Sequence, residues 1–149
     1  MENRKVKIGI SAKQTEGGEG YPAEPFVMNI ICEGEITDDG DNIYIEYEEH
    51  LSDDGGVTHT KITFSKSRPE TVSLIRSGEV NTICSFTAGE RYACSYDMGG
   101  LLLDFCIVTK ALKNNMTFSG GSISMSYNME VRGIAMSRNE YKLTVIKNK

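Results

Sequence analysis

The chain has 149 residues, 39% of them hydrophobic and 25% charged, which is the make-up of one soluble globular domain that can bury a core without disulfide or metal. With 21 acids against 16 bases the net charge is −5, so the composition argues against nucleic acid as a partner. The longest apolar runs, Phe26-Val27-Met28 and Leu101-Leu102-Leu103, are too short to cross a bilayer, and Met1-Glu2-Asn3-Arg4-Lys5 lacks the apolar core of a signal peptide, so a cytoplasmic protein with no membrane partner is expected.

A rhythm of two runs through the chain. Val6, Ile8, Ile10 and Ala12 alternate with Lys5, Lys7, Gly9 and Ser11, which predicts a strand with one dry and one wet face over residues 4–13. A flexible Gly-rich loop is expected over residues 14–24, around Glu16-Gly17-Gly18-Glu19-Gly20-Tyr21-Pro22. Phe26 to Ile36 read as the second strand, followed by the turn Thr37-Asp38-Asp39-Gly40-Asp41-Asn42. Asn42 to Leu51 are the third strand, with Glu46, Glu48 and Glu49 expected on an acidic outer face. Val57 to Ser65 are the fourth and Thr71 to Arg76 the fifth.

Arg76-Ser77-Gly78-Glu79 is a tight joint, flanked by Leu74 and Val80, where Gly takes positive φ at little cost. The sixth strand spans Glu79 to Phe86, the seventh Glu90 to Met98, and Gly99-Gly100 is a hairpin signal into the eighth, Leu101 to Leu112. Ser122 to Val131 form the ninth. A last loop near Arg132-Gly133 leads to a tenth, Glu140 to Lys147. Nothing reads as a helix. Connections this short pair neighbours antiparallel, and about ten strands in one domain must curl. The expected fold is a single all-β domain over 1–149, an antiparallel meandering barrel of about 8–10 strands.

The run Glu33-Gly34, then Tyr44-Ile45-x-Tyr47-x-Glu49, then Arg76-Ser77-Gly78-Glu79-Val80 and Phe86-x-x-Gly89, resembles the bacterial YwiB-like family. Gly100-x-Leu102, Gly121-x-Ile123-x-x-x-Tyr127-x-Met129 and Leu143-Thr144 extend the resemblance over about residues 5–146. It implies a calycin-like (lipocalin-type) barrel of unknown function. It implies no catalytic residue, because the family carries no activity to transfer.

The residues themselves suggest no enzyme. His50 and His59 lie in no elbow, zinc or helical metalloprotease signature, and the Asp38-Asp39-Gly40-Asp41 cluster reads as a turn rather than a calcium loop. Neither a metal nor a cofactor is expected. Cys32, Cys84, Cys94 and Cys106 fit no zinc spacing; Cys94 and Cys106 read as small buried hydrophobes, with a disulfide as the alternative. Arg76 continues an inward row after Val72 and Leu74 at the barrel rim. It can pair with Glu79 across the turn, pair with a carboxylate inside, or bind an anionic ligand. Tyr47, Tyr92, Tyr96 and Tyr127 fall on apolar faces and suit a pocket wall or core packing alike. The residues to watch for a ligand are therefore Tyr47, Arg76, Glu79, Tyr96 and Tyr127, and the expected partner is a small apolar or amphipathic molecule at the barrel mouth. Bulky inward candidates (Met28, Phe86, Met98, Phe105, Met125, Met129) favour the alternative, a filled barrel acting as a structural or protein-interaction module. The sequence leaves the oligomeric state open.

Overall fold

The computed structural model describes residues 1–16, 26–49, 56–78, 81–98 and 101–146. They form ten antiparallel strands: β1 (Glu2–Glu16), β2 (Phe26–Asp38), β3 (Asn42–Glu49), β4 (Thr58–Ser65), β5 (Arg68–Gly78), β6 (Asn81–Thr87), β7 (Arg91–Met98), β8 (Leu101–Asn114), β9 (Gly121–Val131) and β10 (Ile134–Ile146). Each strand pairs with the next in sequence, and β1 also pairs with β10, from Lys7–Ile146 to Glu16–Ser137, so the sheet closes on itself. The described residues include no helix long and apolar enough to cross a membrane.

Alternation decides what faces inward. Val6, Ile8 and Ile10 of β1 meet Ile36, Ile43, Ile45, Ile62, Val72, Ile123, Leu143 and Val145 in one buried core. One end of the barrel is a floor. The β8–β9 connection tucks Met116 beneath the core, and Arg4 fixes that connection by donating to the Phe118 carbonyl from Nε at 3.0 Å and Nη2 at 2.6 Å. The other end, where β1 finishes, β2 begins and β9 turns into β10, is the mouth.

Two segments depart from the sequence expectation. β1 runs through Gln14, Thr15 and Glu16, where a flexible loop is expected, because these residues pair with Asn139, Arg138 and Ser137. β10 correspondingly begins at Ile134 rather than Glu140. Arg132 and Gly133, at φ +53 and +79, form a two-residue turn between Val131 and Ile134, and a bulge between Ala135 and Ser137 shifts the phase. Past that bulge the polar residues Ser137 and Asn139 face inward and are buried, while Ile134 and Met136 face water. An inverted pattern of this kind does not read as a strand.

Candidate functional site

At the mouth the inner face changes from aliphatic to polar. The β3–β4–β5–β6 register sets Tyr47 opposite Thr60, Thr60 opposite Arg76 and Arg76 opposite Thr82, one row above the aliphatic layer of Ile45, Ile62 and Leu74. One step nearer the mouth, Glu49 points inward and is 7% exposed. Its Oε1 accepts the Thr60 hydroxyl at 2.6 Å and faces Arg76 Nε at 3.4 Å. The partner of Arg76 inside the barrel is thus Glu49; Glu79, the cross-turn alternative, lies outside the described residues. The expected acidic outer face is corrected here, since Glu49 follows Ile43, Ile45 and Tyr47 inward while Glu48 is exposed. Strict alternation along β3 carries that signal, and the adjacent Glu48-Glu49 pair obscures it.

Tyr47 has room because Gly34 stands opposite it on β2. A Cβ at Gly34 would collide with the Glu46 carbonyl and approach Ile8 Cδ1 to 2.5 Å. The Tyr47 hydroxyl then reaches across the interior to the Tyr141 hydroxyl, 3.1 Å away. Burial, followed by the neighbouring phenol and Glu49, pushes the Tyr47 pKa far up, and burial does the same to Tyr141, so both stay protonated. Tyr141 is not among the candidates that the sequence offers, although Tyr141, Leu143 and Val145 alternate. Tyr127 packs against Phe86 in a tilted arrangement, ring centroids 5.0 Å apart and planes at 57°, so it serves packing and the pocket wall together.

Above this polar layer opens a cavity of about 520 Å³. Phe26, Met28, Phe105 and Met129 are apolar residues of its lining; Arg76, Tyr127, Asn139 and Tyr141 are among its polar groups, together with Lys13, Gln14, Asp104 and Glu140. A deeper void of about 70 Å³ shares Arg76, Phe105, Tyr127, Met129 and Tyr141 with it and extends down to Cys84 and Phe86. Bulky inward side chains therefore fill the floor, with Met125 and Phe86 buried, while Met28, Phe105 and Met129 line an opening. Of the five expected ligand residues, Arg76 and Tyr127 line the cavity and Tyr47 braces it through Tyr141. Tyr96 is placed by its backbone opposite Thr82 and Leu103.

The other chemistry-bearing residues lie elsewhere. Arg91 reaches out along the outer face to Glu130 at 2.8 Å, with Cys106 beside it, so Cys106 is a half-buried outward residue rather than a core hydrophobe. Tyr92 is exposed rather than packed in a core. His59 sits exposed against Glu46 at 3.3 Å, and His50 lies outside the described residues. In the acidic turn, Asp38 caps the Gly40 amide at 2.8 Å and meets Lys66 at 2.6 Å, while Asp39 accepts the amides of Asp41 and Asn42 at 2.9 and 2.7 Å. These carboxylates hold a turn together.

No curated protein matches the chain. A protein family described as a domain of unknown function (DUF1934) matches residues 8–143. Among solved structures, the crystal structure of ywiB protein from Bacillus subtilis superposes with a TM-score of 0.77 at 21% identity, over 97% of this chain and 94% of that one. At that identity the likeness speaks for the fold alone.

Proposed function

The chain belongs to the family described as a domain of unknown function (DUF1934), and from that premise we propose that it is a binding barrel whose mouth takes one small amphipathic molecule. The observation that carries this reading is the cavity of about 520 Å³, lined both by apolar side chains and by Arg76, Asn139 and Tyr141. Its volume lies inside the range of about 300–1,000 Å³ in which small ligands bind. An up-and-down ring of eight strands already holds one small ligand in lipocalin-type barrels, and ten strands enclose a wider one.

The reading is binding rather than catalysis, in the cytoplasm, with no resident cofactor. Glu49 and Arg76 face each other, and Tyr47 and Tyr141 keep their protons, so these groups suit recognition better than proton transfer. Lys5, Lys7 and Lys13 project outward from β1, which suits a barrel standing in water better than one in lipid.

A fluorescence titration with 1-anilinonaphthalene-8-sulfonate, an amphipathic anion, tests the proposal. Saturable one-to-one binding is expected, displaced by a medium-chain carboxylate and weakened at least tenfold by Met129→Trp, which fills the opening. Binding that does not saturate, or that ignores the filling variant while the barrel stays folded, would sink it.

A further inference from the structure

Cys84 on β6 and Cys94 on β7 are 5% and 6% exposed. The described ladder between these strands consists of the pairs Asn81–Asp97 and Thr82–Tyr96. The ladder ends at Thr82–Tyr96; two residues further along the same hairpin register, Cys84 and Cys94 are the next inward residues of the two strands. Closing the ladder by those two residues would hold their Cα atoms about 4.5–5.5 Å apart, within the span that a disulfide bridges. Cys94 Sγ donates to the Tyr92 carbonyl at 3.8 Å, and Cys84 Sγ meets the Thr82 hydroxyl at 3.7 Å.

Their surroundings make them unequal. The Cys94 thiol and the charge of Arg76 favour a thiolate at Cys84 and, against the effect of burial, pull its pKa down. The neighbouring Cys84, together with burial, pushes the Cys94 pKa up. A thiolate beside a cation is the reactive member of such a pair. Cys84 also lines the void of about 70 Å³ that shares five residues with the mouth. That volume admits a molecule of roughly two waters' bulk, each of which takes about 30 Å³.

We propose that Cys84 and Cys94 form a reversible disulfide, made by hydrogen peroxide entering through the mouth, that staples β6 to β7. The Cys84 thiolate attacks one peroxide oxygen, the O–O bond breaks, and hydroxide leaves to take up a proton as water. The sulfenic acid so formed is attacked by the Cys94 sulfur, which loses its proton as a second hydroxide leaves. Two thiols give up two electrons, and peroxide becomes two waters. The bond lies two residues beyond the last described pair of the ladder. There the Thr82 hydroxyl, donating to the Ser95 carbonyl at 2.8 Å, already ties the strands by a side chain.

Peptide mapping of the full chain after peroxide treatment and thiol alkylation tests this. The Cys106→Ser variant leaves Cys94 as the single cysteine of tryptic peptide 92–110, which should be linked to peptide 77–91. The oxidised protein should be lighter by two hydrogens, revert with dithiothreitol, and melt about 5–10 °C higher than the reduced form, as expected for closing a loop of this length in a domain of this size. Cys94→Ser should stop at a dimedone-reactive sulfenic acid on Cys84. Four alkylatable thiols after peroxide, or a bond joining either cysteine to Cys32 or Cys106 in the wild-type chain, would overturn the proposal.

Discussion

Tyr47 and Tyr141 join β3 to β10 through one hydroxyl contact at 3.1 Å, so an ionisation at either ring is felt by the whole mouth. In the unfolded chain a tyrosine ionises near pH ~10. In the barrel both are raised, so above that pH the unfolded chain has released protons that the folded one keeps. Stability therefore falls as pH rises, with a slope approaching ~1.4 kcal/mol per pH unit for each buried phenol. Urea unfolding between pH 9 and about 11.5 should show this loss, and Tyr47→Phe should reduce the slope by about one tyrosine's share. An unchanged slope in the variant would mean that Tyr47 ionises as freely in the barrel as outside it. The residue scale also shows how far alternation can be trusted. Applied without exception from Ile43, it delivers the buried Glu49 and hence the partner of Arg76. What alternation cannot deliver is the empty place at Gly34, because the Glu46 carbonyl that forbids a Cβ there belongs to another strand.

β10 shows where local pattern and tertiary pairing part. Its second half, Tyr141-Lys142-Leu143-Thr144-Val145, alternates and is legible. Its first half is held by backbone pairing to Met129, Asn128 and Tyr127 of β9 and to Glu16, Thr15 and Gln14 of β1, while its inner face is polar. This end of the barrel is least visible in the sequence because polar residues, not buried hydrophobes, face inward along this half of β10. The turn that launches β10 is legible in kind, since Gly133 at φ +79 is an ordinary residue for a primed hairpin turn, but Arg132 at φ +53 is not. A left-handed conformation costs a non-glycine residue about 1–2 kcal/mol, and Asn tolerates it better. Arg132→Asn creates the preferred Asn-Gly pair and should raise stability by about 0.5–1 kcal/mol, read as a higher urea midpoint at constant m-value. Gly133→Ala should lower it by about 1 kcal/mol. If both substitutions move the midpoint in the same direction, the turn geometry is not what limits this hairpin.

At the scale of the molecule, closure matters more than any single strand. Strands β2 to β10 form a meander of sequence neighbours, which short connections favour and which the sequence makes legible. The ring exists only because β1 zips between β2 and β10, setting Ile10 opposite both Ile30 and Leu143. That contact joins the two ends of the chain, so its loop-closure entropy must be met before the core is complete, and folding in milliseconds to seconds is expected. Without β1 the meander presents two long unpaired edges and uncovers Ile36, Ile123 and Leu143, which are fully buried in the closed ring. Residues 26–146 alone should therefore lose the near-ultraviolet tyrosine signal of a packed interior and elute as aggregates. A peptide of residues 1–16, added during refolding, should restore both the signal and the monomer by strand addition. If residues 26–146 instead remain a monodisperse monomer with the native spectrum, then β2 and β10 can close on each other directly. The barrel would in that case owe its shape to the meander and its twist rather than to the strand that joins its ends.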